Sequence, residues 1–350
     1  MPAIGFSAPS KLVYGQAAAT RLRQPAFYIG GIDVLTVSEL KKIALQIGYD
    51  ACYVLPAEAV HDAPENIRSI LILIQSYQGE RLPAKEEAAI HPYYFASQKA
   101  YQQAKTFVES LSALGEGSIH LPNLALKEAC KRVDGFVQRK NSLLYHSRWG
   151  SRFHLQVIGL YNKPVCDQSL DEQRSVLRPC GACQRCQEAC PVQAISHSGV
   201  DPQKCLRQHM LTGKGTPLEY RALMGNRLIG CDVCQAVCPF NEEVNKPSLH
   251  SALPIEELLP PTKELLNLLA KEIGANLTNS NRLCAQACLV AANSKDISLL
   301  PRLQPLVHHA STVISIQAQW AIQQLTGNDA AAVPDTVAKG PKCVHQKTKD

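Results

Sequence analysis

The sequence predicts an α+β multidomain protein, and three observations carry that reading. The first part alternates helical and strand-like hydrophobic patterns. Eight of the fourteen cysteines fall between residues 180 and 238, and the C-terminal third carries helical periodicity alone. A chain of 350 residues has room for two or three domains. Its 45% hydrophobic and 19% charged residues exclude a wholly disordered chain. The net charge of +6 is mildly basic, compatible with an acidic partner but specific for none.

Residues 1–35 carry no clear period. From Ser38, a candidate cap, Leu40, Ile43, Ala44 and Ile47 share a helical face that Gly48 ends. Residues 51–55 and 69–77 read as strands, joined by a loop between Pro56 and Pro64. The apolar run SILILI at residues 69–74 is too short to span a bilayer, and the first twenty residues have no secretory pattern. A soluble, cytoplasmic protein with reduced thiols is therefore expected, where clustered cysteines bind metal more often than they pair. Further helices are expected at residues 97–114, ended by Gly115, and 123–133. This alternation predicts an α/β domain ending near Val165. Beyond Pro260-Pro261, three amphipathic helices at residues 283–292, 299–307 and 314–325 resemble a HEAT-type helical pair with a partner. The expected division is residues 1–170, 171–248, 249–330 and a Lys-rich, disordered tail at 331–350.

Cys180, Cys183, Cys186 and Cys190, followed by Pro191, read C-x2-C-x2-C-x3-C-P. In that ferredoxin run, three thiolates hold one [4Fe–4S] cluster and the fourth reaches a second. Cys231, Cys234 and Cys238, followed by Pro239, form a second run that lacks its first cysteine, and Cys205 stands between the two. The exchange rule then assigns Cys180, Cys183, Cys186 and Cys238 to one cluster. The other takes Cys190, Cys205, Cys231 and Cys234. A pair of zinc sites is the alternative, although structural zinc normally uses two separated C-x2-C pairs. Cys284 and Cys288, at i, i+4 among Ala and Leu, read as core; Cys52, Cys130 and Cys166 are isolated, and Cys343 lies in the tail.

The stretches CGACQRCQEACPVQAI, DPQKCL and GNRLIGCDVCQAVCPFN strongly resemble the epoxyqueuosine reductase family. The resemblance implies a cobalamin-type α/β domain, a ferredoxin-like two-cluster domain and a HEAT-like, tRNA-binding appendage. YDACYVLPAEA and KNSLLYHSRWGS look like weaker counterparts of the family's cobalamin domain. They nominate Lys140, Asn141, Ser142, Tyr145, Gly150 and Ser151 as cofactor-binding residues. The implied chemistry is reduction of an epoxide on a modified tRNA base to an alkene. Electrons from a donor such as a flavodoxin or ferredoxin would pass through two [4Fe–4S] clusters to cobalamin, while an acid protonates the departing oxygen.

Three departures accompany the resemblance. The family's aspartate proton donor has no counterpart between Glu116 and Asn123, where His120 stands instead; histidine titrates near neutrality, which makes His120 the catalytic candidate. Gln138 and Arg139 occupy positions where the family has small residues. The helical insertion expected between Ala57 and Arg68 is absent. They keep a second function open, a non-catalytic two-cluster electron-transfer paralogue without the corrinoid. A third is an RNA-binding module with structural clusters.

Two basic stretches are candidates for tRNA contact. Residues 131–152 hold Lys131, Arg132, Arg139, Lys140, Arg148 and Arg152 against Asp134, with Tyr145, Trp149 and Phe153 nearby. Residues 204–227 hold Lys204, Arg207, Lys214, Arg221 and Arg227 against Glu219.

Overall fold

A computed structural model describes residues 35–79, 84–130, 133, 135–162, 180–244 and 252–327. The N-terminal segment before residue 35, the tail, Cys166, Cys343, Lys131, Arg132 and Asp134 lie outside the described residues.

The first part contains α1 (Val37–Ile47), β1 (Ala51–Pro56), β2 (Ser69–Ser76), β3 (Glu87–Ile90), α2 (Pro92–Ala113), β4 (Ser118–His120), α3 (Lys127–Cys130), β5 (Phe136–Gln138), β6 (Leu144–His146) and β7 (Phe153–Leu160). Thr36, not Ser38, caps α1, in a capping box with Glu39, and Gly48 ends it in the left-handed region at φ 103°. Helix α2 starts at Pro92, five residues before the expected start. Proline suits a first helical position, and the His91 side chain accepts from the Tyr93 backbone N–H. The helix expected at residues 123–133 contracts to the single turn α3.

β1, β2, β7 and β4 form one sheet in the order β1-β2-β7-β4. Every pairing in it is antiparallel, so the expected α/β arrangement gives way to an α+β one. The central strand β2 is buried on both faces, which explains its unbroken apolar run. Ile70, Ile72 and Ile74 pack with Leu126, Phe136 and Trp149 on one side. Leu71 and Leu73 pack against Leu40, Ala44, Ala100, Ala104 and Phe107 from α1 and α2 on the other.

The cysteine-rich part contains α4 (Arg185–Glu188), β8 (Ile195–Ser196), β9 (Gly199–Val200), α5 (Leu206–Thr212), α6 (Leu218–Arg221), β10 (Arg227–Ile229) and α7 (Val233–Ala236). The C-terminal part adds β11 (Ala252–Pro254), α8 (Lys263–Ile273), α9 (Ser280–Ser294), α10 (Leu300–Leu303) and α11 (Thr312–Thr326). Sequence periodicity missed α8. The helix expected at 299–307 is broken into a 3₁₀ turn, α10 and a second 3₁₀ stretch, with prolines 301 and 305 near the starts of the last two. Cys284 and Cys288 are buried in α9, as core residues should be.

β3 lies between β10, which it pairs in parallel, and β11, which it pairs antiparallel. One hydrophobic core runs from Ile90 and Tyr94 through Leu206, Met224 and Leu228 to Leu289 and Ile314. The three expected segments therefore share a small sheet and one core, while the first also closes two cores of its own on either side of the four-stranded sheet. That shared framework holds the cysteine-rich part against the first.

Candidate metal centre

Short turns place the cysteines. Cys180 and Cys183 precede α4, Cys186 lies within it, and Cys190 follows it; Cys234 lies in α7 with Cys231 before and Cys238 after. Cys205 is the N-cap residue of α5. Because α4 packs on α7, the two runs face each other and exchange their last members. Cys180, Cys183, Cys186 and Cys238 line one small cavity of about 30 Å³. Cys190, Cys205, Cys231 and Cys234 line the end of a second, of about 620 Å³. Among the described residues, no three His, Cys, Asp or Glu side chains converge as a single-ion site.

The thiols feel their burial and one another. Burial, then Cys238, Cys180 and Cys183, raise Cys186. Burial raises Cys231 to about 11, against the pull of Arg227. Cys234 is raised by burial and then by Cys231, Cys205, Cys186 and Cys190. Cys180 goes the other way. Burial would raise it, but the Lys140 backbone N–H and the Arg139 guanidinium together outweigh that cost. A metal entering either set must displace these protons.

Residues from the first part grip the small cavity. Lys140 Nζ donates to the carbonyls of Gly181 and Cys183, both at 2.9 Å. Arg139, only 6% exposed, lies 3.2 Å from the Phe240 ring centroid and 3.7 Å from Cys180 Sγ. Asn141 Nδ2 donates to Tyr145 Oη at 2.9 Å and to the Cys234 carbonyl at 3.3 Å. Ser151 N donates to Asn241 Oδ1 at 2.8 Å, while Asn241 Nδ2 donates to Ser151 Oγ at 2.9 Å. Gly150 has φ +51°, and a Cβ there would collide with Asn241 Oδ1. Deeper still, Arg152 and Asp232 form an ion pair at 3.0 Å, their side chains 1% and 8% exposed. Asp232 sits directly after Cys231, so this buried pair fixes the second run against the sheet.

The six expected cofactor-binding residues thus separate. Ser142 and Ser151 line the large cavity, Lys140 and Tyr145 line the small one, and Asn141 lines both. Gly150 lines neither. Gln138 and Arg139, which stand where the family has small residues, do not line the large cavity.

His120 is not brought to that cavity either. It sits on β4, the edge strand, with its ring against Tyr101 and its Nε2 donating to Gln156 Oε1 at 2.6 Å. Gln156 Nε2 in turn donates to His154 Nε2 at 3.0 Å, and His154 is on the cavity wall. Sequence reading missed His154 because strand order, which decides the histidine that faces inward, is not a local property.

The large cavity has an apolar side, with Leu124, Leu126, Phe153 and Val157, and a side rich in neutral donors. Burial lowers His154 to about 4 and His91 to about 3. Burial raises the phenols of Tyr77 and Tyr93. All four keep uncharged, proton-bearing side chains at neutral pH. His91 Nδ1 accepts from Tyr93 N at 3.1 Å, which leaves the proton on Nε2. That buried Nε2–H has no partner among the described residues. Arg207 stands at the same cavity, its Nε donating to Tyr94 Oη at 3.1 Å.

The basic patches change on folding. Tyr145, Trp149 and Phe153 are buried and unavailable for stacking on bases, and Arg152 is spent on Asp232. Arg221 is buried too, its Nε donating to the Thr216 carbonyl. Arg148, Lys204, Arg207 and Lys214 remain exposed.

Two facing cysteine quartets on exchanged ferredoxin-type runs define a two-cluster iron–sulfur protein, and residues 179–241 match the 4Fe-4S double cluster binding domain. The chain is 30% identical over 201 residues to the epoxyqueuosine reductase of Lactococcus garvieae (strain Lg2), covering 55% of each protein. It is 35% identical over 159 residues to that of Bacillus subtilis (strain 168), covering 42% of this chain and 40% of the relative. A solved epoxyqueuosine reductase with a tRNA-Tyr epoxyqueuosine-modified stem loop shares the fold. The TM-score is 0.68 at 20% identity, over 82% of this chain and 89% of that one. The chain is thus similar to epoxyqueuosine reductases over part of its length and shares their fold. It spans about half the length of the curated relatives it matches. No helix among the described residues is long and apolar enough to cross a membrane.

Proposed function

We propose that this chain is a cytoplasmic epoxyqueuosine reductase-type enzyme that reduces the epoxide of a modified tRNA base to an alkene. Cys180, Cys183, Cys186 and Cys238 hold one [4Fe–4S] cluster, and Cys190, Cys205, Cys231 and Cys234 hold the other. The net reaction takes two electrons and two protons and releases the oxygen as water. Held by these thiolates, the clusters would supply one-electron transfer from a small donor protein such as a flavodoxin or ferredoxin.

The observation that carries this reading is the large cavity, whose wall joins the second cysteine quartet to a face of neutral hydrogen-bond donors. It also fits the corrinoid that the family resemblance implies. Its volume is in the ordinary range for ligand sites, roughly 300–1,000 Å³. Its apolar side suits a macrocycle, the orphaned His91 Nε2–H suits a polar edge or a substrate oxygen, and Arg139 does not intrude. Asn141, Ser142 and Ser151 would hold the group together with Phe153 and Leu155. When bound, a corrinoid supplies a metal that passes electrons to carbon or oxygen, chemistry that side chains lack. His91 and His154 donate hydrogen bonds without adding charge, so negative charge developing on the epoxide oxygen finds donors and little water. Gln156 fixes the tautomer of His154 and links it to His120, giving the edge-strand histidine a positioning role. Arg207, exposed at the cavity, and the exposed Lys204 and Lys214 of the same segment are the candidates for phosphate contact with tRNA.

Among the described residues no carboxylate lines the cavity, which favours as second reading the electron-transfer paralogue without corrinoid. One experiment separates the two. Anaerobically reconstituted protein incubated with cobalamin and passed through a desalting column should retain about one corrinoid per chain, visible beside the iron–sulfur absorption. The His91→Gln variant should retain it but turn over at least tenfold more slowly. A full cluster spectrum with no retained corrinoid would sink the enzyme reading and leave the electron-transfer one.

A further inference from the structure

Arg139 is a basic residue where the family resemblance expects a small one, and it is turned away from the large cavity. Its guanidinium is instead buried against the small cavity. Phe240 covers one face at 3.2 Å, the Tyr145 ring centroid is 5.2 Å away, and Nη1 points at Cys180 Sγ at 3.7 Å. At 3.7 Å, a sulfur is within reach of a charge-assisted N–H···S hydrogen bond, and the aromatic cover keeps water from screening the charge. Lys140, the next residue, donates to carbonyl oxygens of the 181–183 loop, so the two cations have different tasks.

We propose that Arg139 sets the reduction potential of the cluster held by Cys180, Cys183, Cys186 and Cys238, raising it above what those four thiolates alone would give. This rests on the cluster assignment above. A four-thiolate cube carries a charge of about −2 when oxidised and about −3 after one-electron reduction. A fixed positive charge in a low-dielectric contact stabilises the more negative state more, so reduction becomes easier. Hydrogen bonds to cluster sulfur act in the same direction. The other quartet lies near cations of its own, Arg227 beside Cys231 and Arg207 at its cavity, so the effect of Arg139 is confined to the cluster it touches.

The test is a redox titration of the reconstituted holoprotein with dithionite, followed by electron paramagnetic resonance, with iron counted for each sample. Arg139→Gln keeps an N–H donor and loses the charge; Arg139→Lys keeps the charge and loses the planar stack. The account predicts that Arg139→Gln lowers the potential of one cluster signal and leaves the other unmoved, with iron content unchanged. Arg139→Lys should shift the same signal by less. Unshifted potentials in fully loaded Arg139→Gln protein, or equal shifts of both signals, would overturn the proposal while leaving the clusters intact. Absence of iron from the wild-type protein would instead overturn the cluster assignment. If Arg139→Gln fails to load iron, the wild-type protein labelled with 15N-arginine decides. One reduced cluster must show a 15N coupling that Arg139→Lys abolishes, and no such coupling contradicts the role.

Discussion

Around Cys180, Cys183, Cys186 and Cys238 the neighbours are Arg139, Lys140 and Arg185, and Cys183 is exposed. Around Cys190, Cys205, Cys231 and Cys234 the cavity wall carries His91, His154, Tyr77 and Tyr93, all held neutral by burial. Similar sulfur chemistry is thus set in two different dielectrics. Charge beside the first quartet suits electron entry from a charged partner. Beside the second, neutral donors share the cavity wall with Arg207 and Lys127, which suits a reaction that develops negative charge transiently.

Substitutions that break the seam between the regions should have the largest effect. Arg152→Ala strands Asp232 in the interior, and losing one partner of a buried pair costs about 3–5 kcal/mol. Urea unfolding should show that loss, and a change below about 1 kcal/mol would mean that the pair is not a seam. Gly150→Ala should cost about 1–3 kcal/mol, because the added Cβ meets Asn241 Oδ1 in a left-handed backbone conformation. An unaltered midpoint would refute that crowding.

The neutral wall has a pH signature. The pKa values of His91 and His154, lowered to about 3 and about 4, lie below the unfolded value near 6.5. Between those limits the unfolded chain binds more protons, so stability is full above about pH 6.5 and declines as pH falls toward 4. His91→Gln should flatten the acid limb, and a variant with the wild-type slope would remove His91 as its source. The smallest effect belongs to Cys284→Ala in the α9 core. Its iron content should match the wild type, with a stability cost of about 1 kcal/mol, and lost iron would enlarge the ligand set.

The residues that could be read directly from the sequence are those whose partners are local. Cysteine spacing marks both runs because each turn around a cube spans only a few residues, and Gly48 and the β2 apolar run are similarly self-contained. Arg152 and Asp232 lie eighty residues apart, and no spacing rule joins them. His120 drew attention by its place in the chain, yet sheet order sends it to an edge and puts His154 on the wall. The aromatics of the first basic stretch resembled a stacking platform only until the fold buried them.

The central claim is the division of eight cysteines into two cluster-holding quartets. Iron and acid-labile sulfide counted after oxygen-free reconstitution test it directly in the wild type and in Cys205→Ala, which removes the one ligand outside both runs. The account predicts about eight irons per chain, falling to about four in the variant with the Arg139-side signal retained. Zinc in place of iron, or a variant that keeps all of its iron, would contradict it.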